Sequence, residues 1–158
     1  MSNNNIYDRY CNDFQNPALG AYIIAKFVES YIRNATNNSF PSIFHIFSMM
    51  PIIINSNFRK CIKRKNVLDS LIKEINENDK LFGTYQTNIL RYKEYTMTCL
   101  LFCIRLNLIS INDEGDIQIT VQKLPNHKNK LIINAERLGM LFSNGDLFRF
   151  LNFLGVSL

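Results

Sequence analysis

Metal chemistry has little to work with in this sequence. Its four cysteines, Cys11, Cys61, Cys99 and Cys103, show no CxxC spacing, and the two histidines, His45 and His127, sit far from them. A zinc site needs clustered ligands of these types, so none is expected. Catalytic signatures are missing too. There is no GxxxxGK[ST] phosphate loop, no GxSxG elbow and no HExxH pair. Long apolar runs are also lacking. The greasiest segment, residues 40–54, is broken by Ser42, His45, Ser48 and two prolines, whereas a spanning helix needs about 20 apolar residues. The opening Met1-Ser2-Asn3-Asn4-Asn5 has neither the basic start nor the apolar stretch of a signal peptide. Cys99 and Cys103, four apart on an apolar helix, read as small buried hydrophobes. Unpaired thiols suit a reducing cytoplasm, which is the expected location.

What is present is an ordinary globular balance. The chain has 158 residues, 47% of them hydrophobic, and a formal net charge of +5. A domain of this length buries roughly 68–70% of its unfolded surface and needs no disulfide or metal to fold. The modest positive surplus permits contact with a polyanion without requiring it.

Residues 1–13 are polar and are expected to form a flexible arm, with a single helical domain over 14–158. Asn16 is a good N-cap and Pro17 suits the first helical position, whose N–H would be unpaired anyway. The following helix carries two apolar stripes and only a narrow polar edge of Lys26, Glu29, Ser30 and Arg33. Such a helix must be surrounded, inside the domain or by a partner. Ser42 can cap a short helix as far as Met50, where Pro51 is expected to break or kink it. Ile52-Ile53-Ile54 fits either a strand or a buried helix. A basic helix is expected over 58–65 and another over 67–76, with Leu68, Leu71, Ile72 and Ile75 on one face. Apolar spacing predicts further helices over 80–92 and 95–108.

Then comes a hairpin. Asp113-Glu114-Gly115-Asp116 is turn chemistry. Ile117, Ile119 and Val121 alternate with polar residues after it, and Leu108-Ile109-Ser110-Ile111 can supply the partner strand. After the loop of residues 126–130, Asn134 is expected to cap a helix that Gly145 ends. Asp146 should cap a last one, closed by Gly155. The fold class is therefore mainly α, a compact helical domain containing a winged-helix-like helix plus β-hairpin at about 80–125, with C-terminal helices over 134–158.

The bland reading wins for most chemically suggestive residues. Asp69, Glu74, Glu77 and Asp79 look like a solvated face, and His45, between Phe44 and Ile46, looks like a satisfied core or edge histidine. The strongest electrostatic feature is Arg59-Lys60-Cys61-Ile62-Lys63-Arg64-Lys65. Like charges four apart on a helix cost a few tenths of a kcal/mol per pair, which phosphates or an acidic protein surface would relieve. Arg59, Lys60, Lys63, Arg64 and Lys65 are the candidate contacts, and a solvated face is the competing reading. The helix before the hairpin is a poor reader of bases. It presents mainly apolar groups where a recognition helix offers Arg, Lys, Asn or Gln. The hairpin tip carries Asp113, Glu114 and Asp116, which phosphates would repel.

Several ordered blocks carry a resemblance: NPALGAYII from Asn16, the FP and MP pairs within 40–54, YTMTCLLFCIRLNLISINDEGDI from Tyr95, and AERLGMLFSN from Ala135. Together they span nearly the whole chain. They resemble the middle components of three-component ABC-ATPase systems, the small subunits of bacterial defence operons of the Lamassu type. The resemblance implies a non-catalytic subunit that bridges an SMC-like ABC ATPase, which senses phage or plasmid DNA, and an effector that is often a nuclease. ATP and Mg²⁺ would belong to the ATPase, so no cofactor is expected here. DNA contact would be indirect or non-specific, and no membrane is involved. The family supplies no catalytic residues. Asn16, Pro17, Leu19, Gly20 and Tyr22, with Ala135, Glu136, Arg137, Leu138 and Gly139, are the motif positions, with structural or interfacial roles. The alternative is a winged-helix DNA-binding protein or transcriptional regulator.

Overall fold

In the computed structural model, which describes residues 16–62, 67–81 and 83–156, the first helix starts where the sequence places it. The Asn16 side chain accepts hydrogen bonds from the N–H groups of Ala18 and Leu19, at 3.0 and 3.4 Å, and Pro17 opens α1 (Pro17–Asn34). The described residues continue through α2 (Ile43–Ile54), α3 (Ser56–Arg59), α4 (Leu68–Asn76), α5 (Tyr85–Arg105), β1 (Ile109–Ile111), β2 (Ile117–Ile119), α6 (Lys130–Ser143) and α7 (Leu147–Phe153). The protein is mainly helical with one small antiparallel hairpin. The arm expected at residues 1–13 lies outside the described residues.

Helix α1 is the axis of the core. It packs most extensively on α6 and then on α5, and both its apolar stripes are consumed there: Ile23, Ile24, Phe27 and Val28 are at most 2% exposed. The excess apolar surface read from the sequence is thus satisfied inside the chain and does not require a partner. Even the polar edge is partly buried, since Lys26 and Ser30 are only 1% and 4% exposed. Lys26 and Glu136 pair midway along the two helices and Asn34 and Asn144 bond at their C-terminal ends, so α1 and α6 run side by side in the same direction. Two glycines set how closely the helices approach. A β-carbon on Gly20 would meet Cys99 on α5, and one on Gly139 would meet the α1 backbone.

Helix α2 corrects the expectation at Pro51, because it runs through the proline to Ile54. A proline inside a helix costs about 3 kcal/mol or more. Ile52, Ile53 and Ile54 are buried beyond it, each contributing roughly 1.5–3 kcal/mol, so burial outweighs the lost hydrogen bond. Of the basic helix expected over 58–65, the described residues place only Phe58 and Arg59 in a helix, the four-residue α3. Cys61 and Ile62 are buried after it, and residues 63–65 lie outside the described residues. The two helices expected over 80–92 and 95–108 are one 21-residue helix, α5. Helix α6 starts earlier than expected: Asn129, not Asn134, is its cap, and Leu131 and Ile132 are buried in its first turn.

Helix α5 ends at Arg105, and Asn107, two residues on, adopts the left-handed region at φ +54°. The N–H of Asn107 bonds to the carbonyl of Ile104 and that of Leu108 to the carbonyl of Cys103, which satisfies the last turn. The chain then enters the hairpin in the register Ile109↔Ile119, Ser110↔Gln118 and Ile111↔Ile117. Its turn is tied by the Asn112 side chain, which accepts from the N–H groups of Glu114 and Asp116, with Gly115 at φ +85°. The strand ends at Ile119, with one further backbone bond from the Thr120 N–H to the Leu108 carbonyl, short of Val121. Ser42 makes an isolated bridge to Asp116, and the N–H of Ile117 donates to the Pro41 carbonyl, so the entry to α2 lies against the hairpin.

Candidate interaction surfaces

The motif positions at the start of α1 have packing roles. Asn16 caps the helix, and its carbonyl also accepts from the Tyr95 hydroxyl at 3.2 Å. Leu19 is half-buried, Gly20 lets α5 approach, and the Tyr22 hydroxyl donates to the Pro125 carbonyl. On α6, Ala135 and Leu138 are fully buried and Gly139 marks the crossing with α1. Glu136 belongs to a charged cluster centred on Lys26. The Lys26 Nζ lies 2.9 Å from Glu29 Oε2, 3.4 Å from Glu136 Oε1 and 3.3 Å from the Leu124 carbonyl oxygen. The second oxygen of Glu29 accepts from the Leu124 N–H. One buried ammonium thereby ties α1, α6 and the segment after the hairpin together. Arg137 is the exception among these positions. It is half-buried and makes no ion pair or hydrogen bond with the described residues.

The basic run divides. The Arg59 guanidinium turns back and donates to the carbonyls of Ile53 and Ile54, where it satisfies the C-terminal end of α2. Lys60 is exposed and lines an open cleft of about 570 Å³ whose other walls include Glu74, Glu77 and Asp79. Those carboxylates therefore face the start of the basic run. Lys63, Arg64 and Lys65 lie outside the described residues. Among the described residues, no group of three or more His, Cys, Asp or Glu side chains could hold a metal ion.

Sequence reasoning missed an apolar groove of about 370 Å³ between α2, α5 and the C-terminal residues. Its walls include Phe44, Phe47, Ile89, Leu90, Leu151 and Val156, with Lys93 on its edge. Phe44 is 50% and Leu90 66% exposed. Leu90, Met97 and Leu101 are all exposed at helical spacing on α5, with the exposed Lys93 and Glu94 between the first two. That spacing was visible in the sequence, but which face of α5 stays uncovered depends on how α1 and α2 pack.

The family model of the ABC-three component (ABC-3C) system Middle Component 3 matches residues 5–158. The chain belongs to that family. No curated protein and no solved structure matches it.

Burial fixes the protonation of three side chains in this middle component. Burial lowers the pKa of His45 to about 4, so its imidazole is neutral. Its Nδ1 lies 3.0 Å from the Ser42 N–H that donates to it, and its ring packs edge-on against Tyr31 and Phe142. Burial pushes the thiols of Cys99 and Cys103 up to about 11 and 12, the latter raised further by Cys99. Neither forms the thiolate that nucleophilic chemistry needs. Cys99 and Cys103 are free thiols, and Cys61, like them, is buried. No helix among the described residues is long and apolar enough to cross a membrane.

Proposed function

We propose that this middle component is a non-catalytic bridging subunit. It binds an SMC-like ABC ATPase and links DNA sensing to an effector, often a nuclease, in Lamassu-type defence against phage and plasmids. Its family membership supports the reading. The observation that carries it is the apolar groove at Phe44 and Leu90, with Met97 and Leu101 also exposed farther along α5. Exposed apolar surface of this kind marks protein contacts. ATP and Mg²⁺ would be held by the ATPase, within the cytoplasm. The test is co-expression with the neighbouring ATPase gene. Stable co-elution that Leu90→Glu abolishes is expected, and a wild-type chain that elutes apart from that ATPase would overturn the proposal.

A winged-helix DNA binder is the second reading. It is favoured by the placement of α5 before the hairpin, with the Pro41–Ser42 segment alongside. The surfaces speak against it. Asp113 and Glu114 are exposed at the tip, and in its second half α5 exposes Met97, Thr98 and Leu101 before Arg105, with Arg91 and Lys93 set back on its first half beside Glu94. We therefore assign the hairpin unit to protein contact. Sequence-selective mobility shifts by the isolated chain would reverse that assignment.

A further inference from the structure

On the outer side of the α1–α6 pair lies an open cleft of about 480 Å³, sharing no residue with the apolar groove. Ser30, Arg33 and Asn34 of α1 form one wall, and Asn126 and His127 lie at its margin. The other wall is a stripe of α6, Ile133, Glu136, Arg137 and Met140, at positions that share one helical face. Along it the carboxylate of Glu136 and the guanidinium of Arg137 stand between the apolar Ile133 and Met140.

The charges in this cleft are unequally engaged. The Glu136 carboxylate is already held by the buried ammonium of Lys26 at 3.4 Å. Arg33 reaches Glu29 only at 3.8 Å and its side chain is 63% exposed. Such a contact contributes little and is readily exchanged. Arg137 is half-buried with no carboxylate partner among the described residues. Withdrawing a guanidinium from water without a counter-charge is unfavourable, and an arriving carboxylate offsets that cost through paired N–H···O bonds. The fold itself makes no visible use of this side chain, in contrast to its neighbours Ala135, Glu136, Leu138 and Gly139.

We propose that the Arg33–Arg137 cleft binds an acidic peptide segment of a partner protein. The two guanidinium groups take Asp or Glu carboxylates, and Ile133 and Met140 take intervening apolar side chains. A nucleic-acid backbone is the poorer match. It presents no apolar groups to Ile133 and Met140. The inference does not rest on the bridging function, because the cleft belongs to the chain alone.

The test is fluorescence anisotropy on the full-length chain with a short labelled peptide alternating Glu and Leu. The matched Gln–Leu peptide and a single-stranded oligonucleotide serve as competing probes. Saturable binding of the Glu–Leu peptide is expected, weakened roughly tenfold or more by Arg137→Gln. Arg137→Lys should fall between, because it keeps the charge but loses the fork. Unchanged thermal unfolding of Arg137→Gln would show that the loss is local. Equal binding of the Gln–Leu peptide, absence of saturable binding, or indifference to Arg137→Gln overturns the proposal. Tighter binding of the oligonucleotide, lost in Arg137→Gln, overturns it in favour of a phosphate site.

Discussion

A β-carbon at Gly139 would stand 2.5 Å from the carbonyl oxygen of Phe27 and 2.9 Å from the amide nitrogen of Tyr31. The obstacle is the backbone of α1, which cannot rotate away. Gly139→Ala is therefore expected to force α1 and α6 apart. At Gly20 the obstacle is the Cys99 side chain, with Sγ only 2.2 Å from the β-carbon position. Overpacking costs about 1–3 kcal/mol, against roughly 1 kcal/mol gained by replacing a helical glycine with alanine. Urea unfolding should show net destabilisation for both variants, larger for Gly139→Ala. Cys99→Ala should recover part of the loss in Gly20→Ala and none of it in Gly139→Ala. Equal recovery in both would refute the contact assignment.

Lys26 supplies the second expectation. Its side chain is 2% exposed, whereas those of Glu29 and Glu136 are 19% and 35% exposed. Lys26→Met keeps much of the apolar stem but leaves two carboxylates facing each other and the Leu124 carbonyl without its donor. Breaking a fully buried pair costs about 3–5 kcal/mol. Water reaches Glu136, so a smaller loss of about 2–3 kcal/mol is expected here. Adding Glu136→Gln to Lys26→Met should restore part of it. Chemical denaturation of the single and double variants measures the coupling, and strict additivity would mean that the charges do not act together.

The same lysine shows where local sequence stops being informative. Asn16 with Pro17, Asp146 with Gly155, and the turn at Gly115 are set by neighbours in the chain, and each folds as its residue types dictate. The buried face of α4 was equally legible from its spacing. Lys26 read as a solvent edge because nothing nearby in sequence announces Glu136, which arrives from 110 positions away (136 minus 26). Pro51 read as a break or kink after Met50 because its local cost is visible and the burial of the isoleucines after it is not. Arg59 read as a free cation, although the unpaired carbonyls at the end of α2 capture it. The apolar groove and the Arg33–Arg137 cleft exist only once α1, α2, α5 and α6 are assembled.

His45 gives the fold a dependence on acid. Its pKa falls from an ordinary 6.5 to about 4, because burial disfavours the charged ring. Between those values the unfolded chain binds a proton that the folded chain does not, so stability rises with pH there. The contribution is complete above about pH 6.5 and is lost as pH falls towards 4. It amounts to about 3 kcal/mol, roughly 6–12 °C in melting temperature for a chain of this size. Melting curves across this range should therefore slope more steeply for the wild type than for His45→Gln. Glutamine can still accept from the Ser42 N–H in the same capping role. Parallel slopes would remove His45 as the cause.

Leu90 separates folding from assembly. It is 66% exposed on the rim of the apolar groove, opposite Phe44 at 50%. Substituting an exposed residue away from caps and charge networks changes stability by less than about 0.5 kcal/mol. Leu90→Glu should therefore unfold with the wild-type midpoint. If the groove seats the ATPase, the same substitution places a charge in a desolvated contact, and affinity should drop by about 2 kcal/mol or more. That corresponds to roughly thirtyfold weaker capture of the ATPase at matched concentrations. Phe44→Glu should behave alike, whereas Arg137→Gln, in the separate cleft, should leave this contact intact. A wild-type affinity for Leu90→Glu would mean that the ATPase docks elsewhere, and a lowered midpoint would mean that Leu90 serves the fold.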